Sequence, residues 1–296
     1  MKLILTSDLH QWSEKWCDLA AAVRTEKPRF VLIAGDLLPK LTDFNRQRLF
    51  FREMRRHFQA MKEAGPVTVL TYFGNDDAHV LEPLLDELEA AGLCLNLNGR
   101  VHREEGLVFC GMNRVRDYPF GYKHWCARDG DYLACPQQFC GQGLEMDERG
   151  QFVPLDNLAE YLSAKPSLDD ELERLRVQLR PGEMEGSVWM IHQPPTGLGM
   201  DICGDGRQVG SPTILKFIEA NQPLLGCSGH IHESPYQPGG RWRAQVGRTV
   251  WLQPGQMGSR LHYACVAIGA PLAVEDIRHS VFGQGQSLID SGPRPC

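Results

Sequence analysis

Short apolar runs alternate with longer amphipathic stretches over the first ninety residues of the chain. The runs at residues 2–6, 30–34 and 67–72 are continuous rather than alternating, as expected of strands that are covered on both faces. The stretches between them place apolar side chains at helical spacing, and the second stretch has Met54 and Phe58 on one such stripe. This alternation of strands and helices predicts a parallel α/β sheet.

The pattern changes after residue 95. Residues 96–111 predict a hairpin, whereas residues 112–156 have no clear period and are rich in Gly, Asp, Tyr and Pro. We interpret 112–156 as a loop-rich insertion or lid, so that residues 1–296 form a single domain. Short strands with Gly and Pro turns over residues 231–268 predict a further, more antiparallel sheet.

Three later segments continue the alternation of helix and strand. A helix is predicted to begin at Ser167, where Ser167 and Asp170 have the spacing of a capping box. Apolar runs at residues 187–191 and 224–228 predict two more buried strands.

Polar side chains with metal-binding chemistry follow five of the predicted strands directly. In open α/β sheets, ligand sites lie at the carboxyl ends of the strands. A single His or a Gly-Asp pair at such a position is usually structural, but here the order, the strand context and the ligand types agree. The residues concerned are Asp8, His10, Asp36, Asn75, His192, His230 and His232.

Imidazole, carboxylate and amide oxygen together suit divalent metals such as Mn, Fe, Co, Ni or Zn. No cysteine belongs to the set, which disfavours a structural zinc site. Seven donors are too many for one ion and suit two ions that share one carboxylate. Two such ions can clamp a phosphoryl group and acidify a bound water, so no side-chain nucleophile is needed.

These motifs resemble those of the calcineurin-like metallophosphoesterase family, in the order Asp8-x-His10, Gly35-Asp36, Gly74-Asn75, His192 and Gly229-His230-x-His232. The resemblance implies a metallo-dependent phosphatase-like fold, an α/β (α+β four-layer) arrangement of two mixed β-sheets packed as a sandwich and flanked by helices. The stretch from His192 to Glu233 is similar to one branch, the metallophosphodiesterases that contain MPPED-like proteins.

The resemblance also implies a ligand set and a reaction. Asp36 would bridge two metal ions, with Mn, Fe and Zn the expected metals. The first ion would be held by Asp8, His10, Asp36 and His232, and the second by Asp36, Asn75, His192 and His230. The implied activity is hydrolysis of phosphate esters by a metal-bridging hydroxide. The expected substrates are small or nucleotide-like phosphodiesters.

The third motif departs from the family pattern. Most members have Gly-Asn-His there, with a histidine that contacts the phosphate, whereas this chain has Asp76. An ionised Asp76 would be a poor general acid and would repel a monoester dianion more than a diester monoanion. One alternative is that Asp76 merely caps the next helix, a role that Asp77 could serve equally well. A second possibility is that His79 supplies the missing imidazole. Asp76 and His79 are therefore the candidate catalytic residues.

Composition limits the partners and the compartment. The 31 Lys and Arg residues against 37 Asp and Glu residues give a net charge of −6, which disfavours general binding to nucleic acid. The N-terminus lacks the apolar core of a signal peptide, and no apolar run is long enough to span a membrane. We expect a cytoplasmic protein that acts on a small phosphorylated substrate without a membrane or nucleic-acid partner. Its oligomeric state is left open.

Alternative functions remain at this point. The chain could be a non-catalytic or weakly active metal-binding scaffold on the same fold, although all seven ligand positions are filled. A phosphomonoesterase or a nuclease could use the same site.

Several weaker signals surround the motifs. Cys126, Cys135 and Cys140 lie near His124 and could hold zinc, although reduced packing thiols explain them as well. Phosphate could be contacted by Arg114, Arg116 and Arg207, and the pocket could be shaped by Gln193 and Asp201. The aromatic residues of the insertion could stack on a base or simply pack the lid, and they are Tyr118, Phe120, Tyr122, Trp125 and Tyr132.

Overall fold

A computed structural model of the chain describes residues 1–116, 118–130 and 142–285. Within these residues the strands are β1 (Lys2–Thr6), β2 (Phe30–Ile33), β3 (Thr68–Thr71), β4 (Leu95–Asn96), β5 (Val101–Glu104), β6 (Leu107–Met112), β7 (Leu144–Met146), β8 (Phe152–Pro154), β9 (Ser187–Ile191), β10 (Leu225–Cys227), β11 (Arg243–Val246), β12 (Thr249–Leu252), β13 (Ala264–Gly269) and β14 (Ala273–His279). The α-helices are α1 (Ser13–Glu26), α2 (Phe44–Ala64), α3 (Glu82–Ala90), α4 (Leu158–Ser163), α5 (Leu168–Arg176) and α6 (Pro212–Asn221).

Most strands belong to two six-stranded mixed sheets. The first sheet has the order β14-β13-β1-β2-β3-β4, in which β1 to β4 are parallel and β13 is antiparallel to β1. The second has the order β11-β12-β10-β9-β6-β5, with four parallel central strands and antiparallel edges. Strands β7 and β8 form a separate hairpin.

Alternate residues of the strands face two different layers of the core. In β1, Leu3 and Leu5 lie between the two sheets, while Ile4 packs against α1 and α2 on the outer face of the first sheet. Trp189 and Ile191 of β9 pack in the same way against α5 and α6 on the outer face of the second sheet. The layers are therefore helices, sheet, sheet and helices, and the predicted two-sheet α/β sandwich is confirmed.

Among three predictions for single segments, the structure confirms one and contradicts two. The capping box at Ser167 is present, since the Ser167 hydroxyl and the Asp170 carboxylate each accept the other residue's backbone N–H. The hairpin predicted over 96–111 is wrong at its start, because β4 pairs with β3 and only β5 and β6 form a hairpin. The region 231–268 does not form one antiparallel sheet, since β12 pairs in parallel with β10 and β13 joins the first sheet.

The described parts of the insertion pack on the loop that follows β3. The indole Nε1 of Trp125 donates a hydrogen bond of 2.7 Å to the Asp77 carbonyl, and the backbone N–H of Lys123 donates to the Leu144 carbonyl at 2.8 Å. These contacts place the insertion beside the carboxyl ends of the first sheet. No helix in the described ranges is both long enough and apolar enough to cross a membrane.

Candidate metal centre

The carboxyl ends of five strands from both sheets meet at one edge of the sandwich. The residues that follow these strands form the strand-end cluster, whose members are Asp8 and His10 after β1, Asp36 after β2, Asn75 after β3, His192 after β9, and His230 and His232 after β10. Backbone hydrogen bonds join the loops, including His10 N–H to the Asp36 carbonyl at 3.0 Å. The sequence prediction that these residues gather therefore agrees with where the structure places them.

Several cluster residues have an unusual backbone conformation. Asp8, His10, Asp36 and His230 have positive φ angles of 55°, 48°, 52° and 67°. Such angles are uncommon for residues with a Cβ and cost about 1–3 kcal/mol each. Strain of this kind persists only where the surrounding structure enforces it, and it concentrates at functional sites.

Asp8, His10 and Asp36 offer donor atoms that lie within 4.8 Å of one another. The Nδ1 atom of His10 is 3.2 Å from the Leu38 carbonyl, which assigns the ring proton to Nδ1 and leaves the Nε2 lone pair towards Asp36. The Oδ2 atom of Asp8 is buried and has no hydrogen-bond partner among the described residues. A buried carboxylate oxygen without a donor is costly unless a cation binds it.

A second set of donor atoms meets at the Asn75 side chain. Its Oδ1 atom lies 2.9 Å from Nε2 of His192 and 2.6 Å from Nδ1 of His230. The other ring nitrogen of His192, Nδ1, is 2.7 Å from the Ala34 carbonyl, so a neutral His192 directs a lone pair at Oδ1. The Asn75 oxygen and the two imidazole nitrogens are donor atoms of the kind that bind a divalent cation, and they meet at one point.

Electrostatics in the metal-free site also indicate that positive charge is favoured there. Burial lowers the pKa of His192, but the Asp36 carboxylate outweighs burial and raises that pKa to about 9. Burial resists ionisation of Asp36, yet His192 and His10 hold the pKa of this carboxyl below its ordinary value. Burial and the charge of His192 lower the pKa of His230 to about 3. A proton on His192 thus supplies the charge that a metal ion would supply.

Two glycines let the loops approach one another. A Cβ built on Gly74 would lie 2.2 Å from Oδ1 of Asp36, and one on Gly35 would lie 2.7 Å from Nδ1 of His192. Gly35 also has a φ of +86°, which disfavours any side chain. The residues before Asp36 and Asn75 therefore have to be glycine for the ligands to converge.

A comparison with protein-family models finds a match to the calcineurin-like phosphoesterases over residues 1–234. The chain belongs to the calcineurin-like phosphoesterase family. Members of this family are metal-dependent phosphoesterases. The strand-end cluster, with its unpartnered Asp8 oxygen, has the donor chemistry that divalent ions require.

Solved structures share the fold of this phosphoesterase at low sequence identity. The protein TT1561 of Thermus thermophilus is 15% identical, with a TM-score of 0.54 and coverage of 90% of this chain and 93% of that one. A dimetal phosphatase from Danio rerio is 13% identical, with a TM-score of 0.54 and coverage of 95% of both chains. A comparison with curated protein sequences finds no match.

The two aspartates of the third motif have different roles in this phosphoesterase. Asp77 is buried, and its carboxylate accepts hydrogen bonds from the backbone N–H groups of Leu37, Leu38 and Gly74. The short 3₁₀ helix after it has Ala78 at its N-cap and no side-chain cap. The interpretation that Asp76 or Asp77 caps the next helix is therefore wrong. Asp77 instead fixes the loops that carry the ligands.

Asp76 lies in the cavity beside the cluster. Its backbone N–H donates to Oδ1 of Asp36 at 2.9 Å, and Oδ1 of Asp76 is 3.3 Å from the Asn75 amide nitrogen. In the metal-free site, burial and the charge of Asp36 raise the pKa of Asp76 to about 7. Nearby metal cations favour the ionised form and would lower this pKa.

The structure places His79 outside this cavity, contrary to the hypothesis that it supplies a catalytic imidazole. The ring stacks on His124 with 3.7 Å between the ring centroids. The Nδ1 atom is 2.7 Å from the Tyr122 hydroxyl. The ring is thus engaged by the insertion and does not face the cluster.

His232 is at the rim of the cluster. Its ring is 6.1 Å from that of His10, and its Nδ1 atom is buried without a hydrogen-bond partner in the described part of the chain. The Glu233 carboxylate lies 3.7 Å from this Nδ1 atom.

A cavity of about 350 Å³ opens directly onto the cluster. Its lining includes Lys40, Tyr118, Cys203, Arg207 and Glu233 in addition to cluster residues. Of these five, Tyr118 and Arg207 were among the sequence candidates. Lys40 gave no signal because it lies in a loop with no motif, four residues after Asp36.

Phe120, another sequence candidate, also lines this cavity, whereas the candidates described next do not. Arg114 and Arg116 donate hydrogen bonds to the His124 and Gly210 carbonyls, and neither lines this cavity. Gln193 and Asp201 are buried and hold loop backbone, accepting from Arg116 N–H and Gly210 N–H. Cys126 is buried, while Tyr132, Cys135 and Cys140 lie outside the described residues, so the suggested zinc cluster stays untested.

Proposed function

We propose that this chain is a dinuclear metal-dependent phosphodiesterase that acts on small phosphodiesters. The observation that carries the proposal is the convergence of buried acceptor atoms at the strand ends. Asn75 Oδ1 faces two imidazole nitrogens, at 2.9 and 2.6 Å, and Asp8 Oδ2 has no donor among the described residues. The buried Asp8 oxygen is costly without a partner, and a bound cation would compensate that cost while the atoms that meet at Asn75 would serve as further ligands.

The ligand assignment follows the family pattern. Asp36 would be shared between the ions, and the carbonyl of Leu38 would fix the tautomer of His10 while that of Ala34 fixes the tautomer of His192. Bound metal ions would supply an acidified water as the nucleophile and would neutralise phosphoryl oxygens. The chain itself orients the phosphate between the loops.

Asp76 supports the preference for diesters. Its carboxylate lies in the cavity, where the family's histidine would otherwise face the phosphate. An ionised Asp76 repels a monoester dianion more strongly than a diester monoanion. The net charge of −6 favours a small diester over a nucleic acid as the substrate.

The test compares the hydrolysis of 4-nitrophenyl phosphate and bis(4-nitrophenyl) phosphate by the Mn²⁺-loaded protein. We expect the wild type to prefer the diester, and we expect Asp76→His to shift kcat/KM towards the monoester by about tenfold or more. Glu233→Gln, at the rim of the same cavity, is the control for removal of a nearby negative charge. Efficient monoester hydrolysis by the wild type would overturn the diester preference. Absence of metal and of turnover would instead favour a non-catalytic scaffold.

A further inference from the structure

The cavity at the strand-end cluster continues into a second cavity of about 380 Å³. Both cavities are lined by the same central residues, which are Lys40, Asn75, Asp76, Tyr118, Pro119 and Phe120. The two spaces are thus adjoining lobes of one cleft, with Asp76 and Lys40 at their junction. A phosphate at the metal centre would lie in the first cavity, with the second cavity beside it.

The lobes differ in chemistry. The lobe over the metal centre contains charged residues, among them Asp205, Arg207 and Glu233. The second lobe, here called the aromatic lobe, is lined beyond the shared residues by Leu41, Thr42, Gly121, Tyr122, Leu144 and Phe152. Most of these side chains are apolar.

Aromatic side chains lead from the metal centre into the aromatic lobe. The Tyr118 ring lies edge-on to His230 at 5.9 Å, and Phe120 follows at 5.9 Å from Tyr118. On the far side, Phe152 contacts Tyr122 edge-to-face at 6.1 Å. Phe120 and Phe152 are 49% and 38% exposed, so part of each apolar ring is accessible from the cleft.

Lys40 adds a positive charge at the junction of the lobes. Lys40 is exposed, and it lines both cavities together with Asp76. An ammonium group at this position can contact a non-bridging phosphoryl oxygen as a point charge. It would also offset the repulsion between Asp76 and a diester monoanion.

We propose that the aromatic lobe binds an aromatic substituent of the phosphodiester substrate while Lys40 contacts its phosphate. This inference rests on the proposed function and names the substrate class, a diester with an aryl or nucleobase-like group on one side. We assign an aromatic group to this lobe because the lobe adjoins the metal centre and because aromatic side chains line it. Stacking and burial of such a ring would increase the affinity by about tenfold or more.

The experiment measures calorimetric binding of two monoanionic diester mimics that cannot be hydrolysed, methyl(phenyl)phosphinate and dimethylphosphinate, to the Mn²⁺-loaded protein. We expect the phenyl compound to bind about tenfold more tightly in the wild type. Phe152→Ala and Phe120→Ala should reduce that difference to about threefold or less, with little change for dimethylphosphinate. Val177→Ala is the control, since Val177 is an exposed apolar residue that lines neither cavity, and this variant should retain the tenfold difference in affinity.

Lys40 has a different expected signature. Lys40→Gln should weaken binding of both phosphinates by a similar factor, because it removes a contact to the phosphorus oxygens rather than to the ring. Lys27→Gln, at an exposed lysine after α1, is the matched control. Thermal unfolding of each variant checks that the fold is intact.

The outcomes separate this inference from the function that it builds on. The proposed role of the aromatic lobe is overturned if the wild type binds both phosphinates equally. It is also overturned if the phenylalanine variants leave the difference in affinity unchanged. Unchanged affinities in Lys40→Gln overturn the phosphate contact. If the protein prefers the phenyl compound but hydrolyses no phosphoester, the role of the aromatic lobe is supported and only the proposed enzymatic activity is refuted.

Discussion

In the described part of the chain there are two places where histidines and carboxylates lie close together, and only one of the two has the features of a metal site. The strand-end cluster contains Asp8, His10 and Asp36, and the insertion cluster consists of His79, His124 and Glu145. Within each of these two sets of three residues, the donor atoms lie within 4.8 Å of one another. Proximity of ligand-type residues therefore does not distinguish them.

The hydrogen bonds of the two groups do distinguish them. In the insertion cluster, Tyr122 bonds to His79, and His124 Nδ1 lies 3.1 Å from Glu145. Tyr161 donates to the same carboxylate, and the Lys165 ammonium is 3.9 Å from it. The strand-end cluster instead leaves Asp8 Oδ2 without a donor in the described part of the chain. The side chains of the insertion cluster therefore have hydrogen-bond partners, whereas the strand-end cluster has a buried carboxylate oxygen that a cation would stabilise.

Ring orientation gives the same answer. The His79 and His124 rings are parallel, with 4° between their planes. Because a metal ion binds in the plane of an imidazole, two stacked parallel rings cannot both direct a lone pair at one ion. The rings of His192 and His230 are inclined by 55° instead. Inclined rings can converge on one point.

The largest expected effect is on metal content. Asp36→Asn should lose most of the bound metal and lower kcat/KM by about a thousandfold or more, because it removes the carboxylate that we propose is shared between two ions. Glu145→Gln, which changes the insertion cluster in the same way, should retain the metal. Elemental analysis of both purified variants measures this. Loss of one metal equivalent in Glu145→Gln would show that the comparison is wrong.

A smaller effect is expected where a methyl group displaces a ligand. Gly74→Ala should move Asp36, whose Oδ1 would be 2.2 Å from the new Cβ, and should weaken metal binding by about 10- to 100-fold. Gly65→Ala is the control, since the nearest atom to its new Cβ is 3.7 Å away. Competition with a chelator measures the affinity. Equal affinities in the two variants would contradict the close approach that we describe.

The smallest effect is on acid stability and concerns the insertion cluster. Burial and the neighbouring His124 lower the pKa of His79 from about 6.5 to about 4 in the folded state. The unfolded chain therefore binds the proton first, and stability is lost as the pH falls from about 6.5 towards 4. His79→Gln should reduce this loss by about 1 kcal/mol, since the ring is partly exposed.

Chemical denaturation of the metal-free protein at pH 7 and pH 5 provides the measurement. His102→Gln, at a partly buried histidine of β5, is the control. If both variants follow the wild-type pH dependence, His79 does not carry the acid sensitivity.

Much of the fold could be predicted because the signals are local. The continuous apolar runs gave β1, β2 and β9, and the spacing of Ser167 and Asp170 gave the start of α5. The prediction failed at Leu95–Asn96, where pairing with β3 rather than with the next strand depends on contacts distant in sequence.

The sequence by itself determined which residues follow the buried strands, and hence that Asp8 and Asp36 would gather at one edge of a parallel sheet. That conclusion needs only strand order, because the ends of parallel strands are brought together by the sheet. His192 follows β9 of the second sheet, so its place beside them depends on how the two sheets pack. Only the tertiary structure decided that His79 turns towards His124, and that Lys40 and Phe152 share one cleft with Asp76. Those contacts join loops whose relative positions depend on packing of the insertion, and loop sequences carry no periodic pattern that encodes such packing.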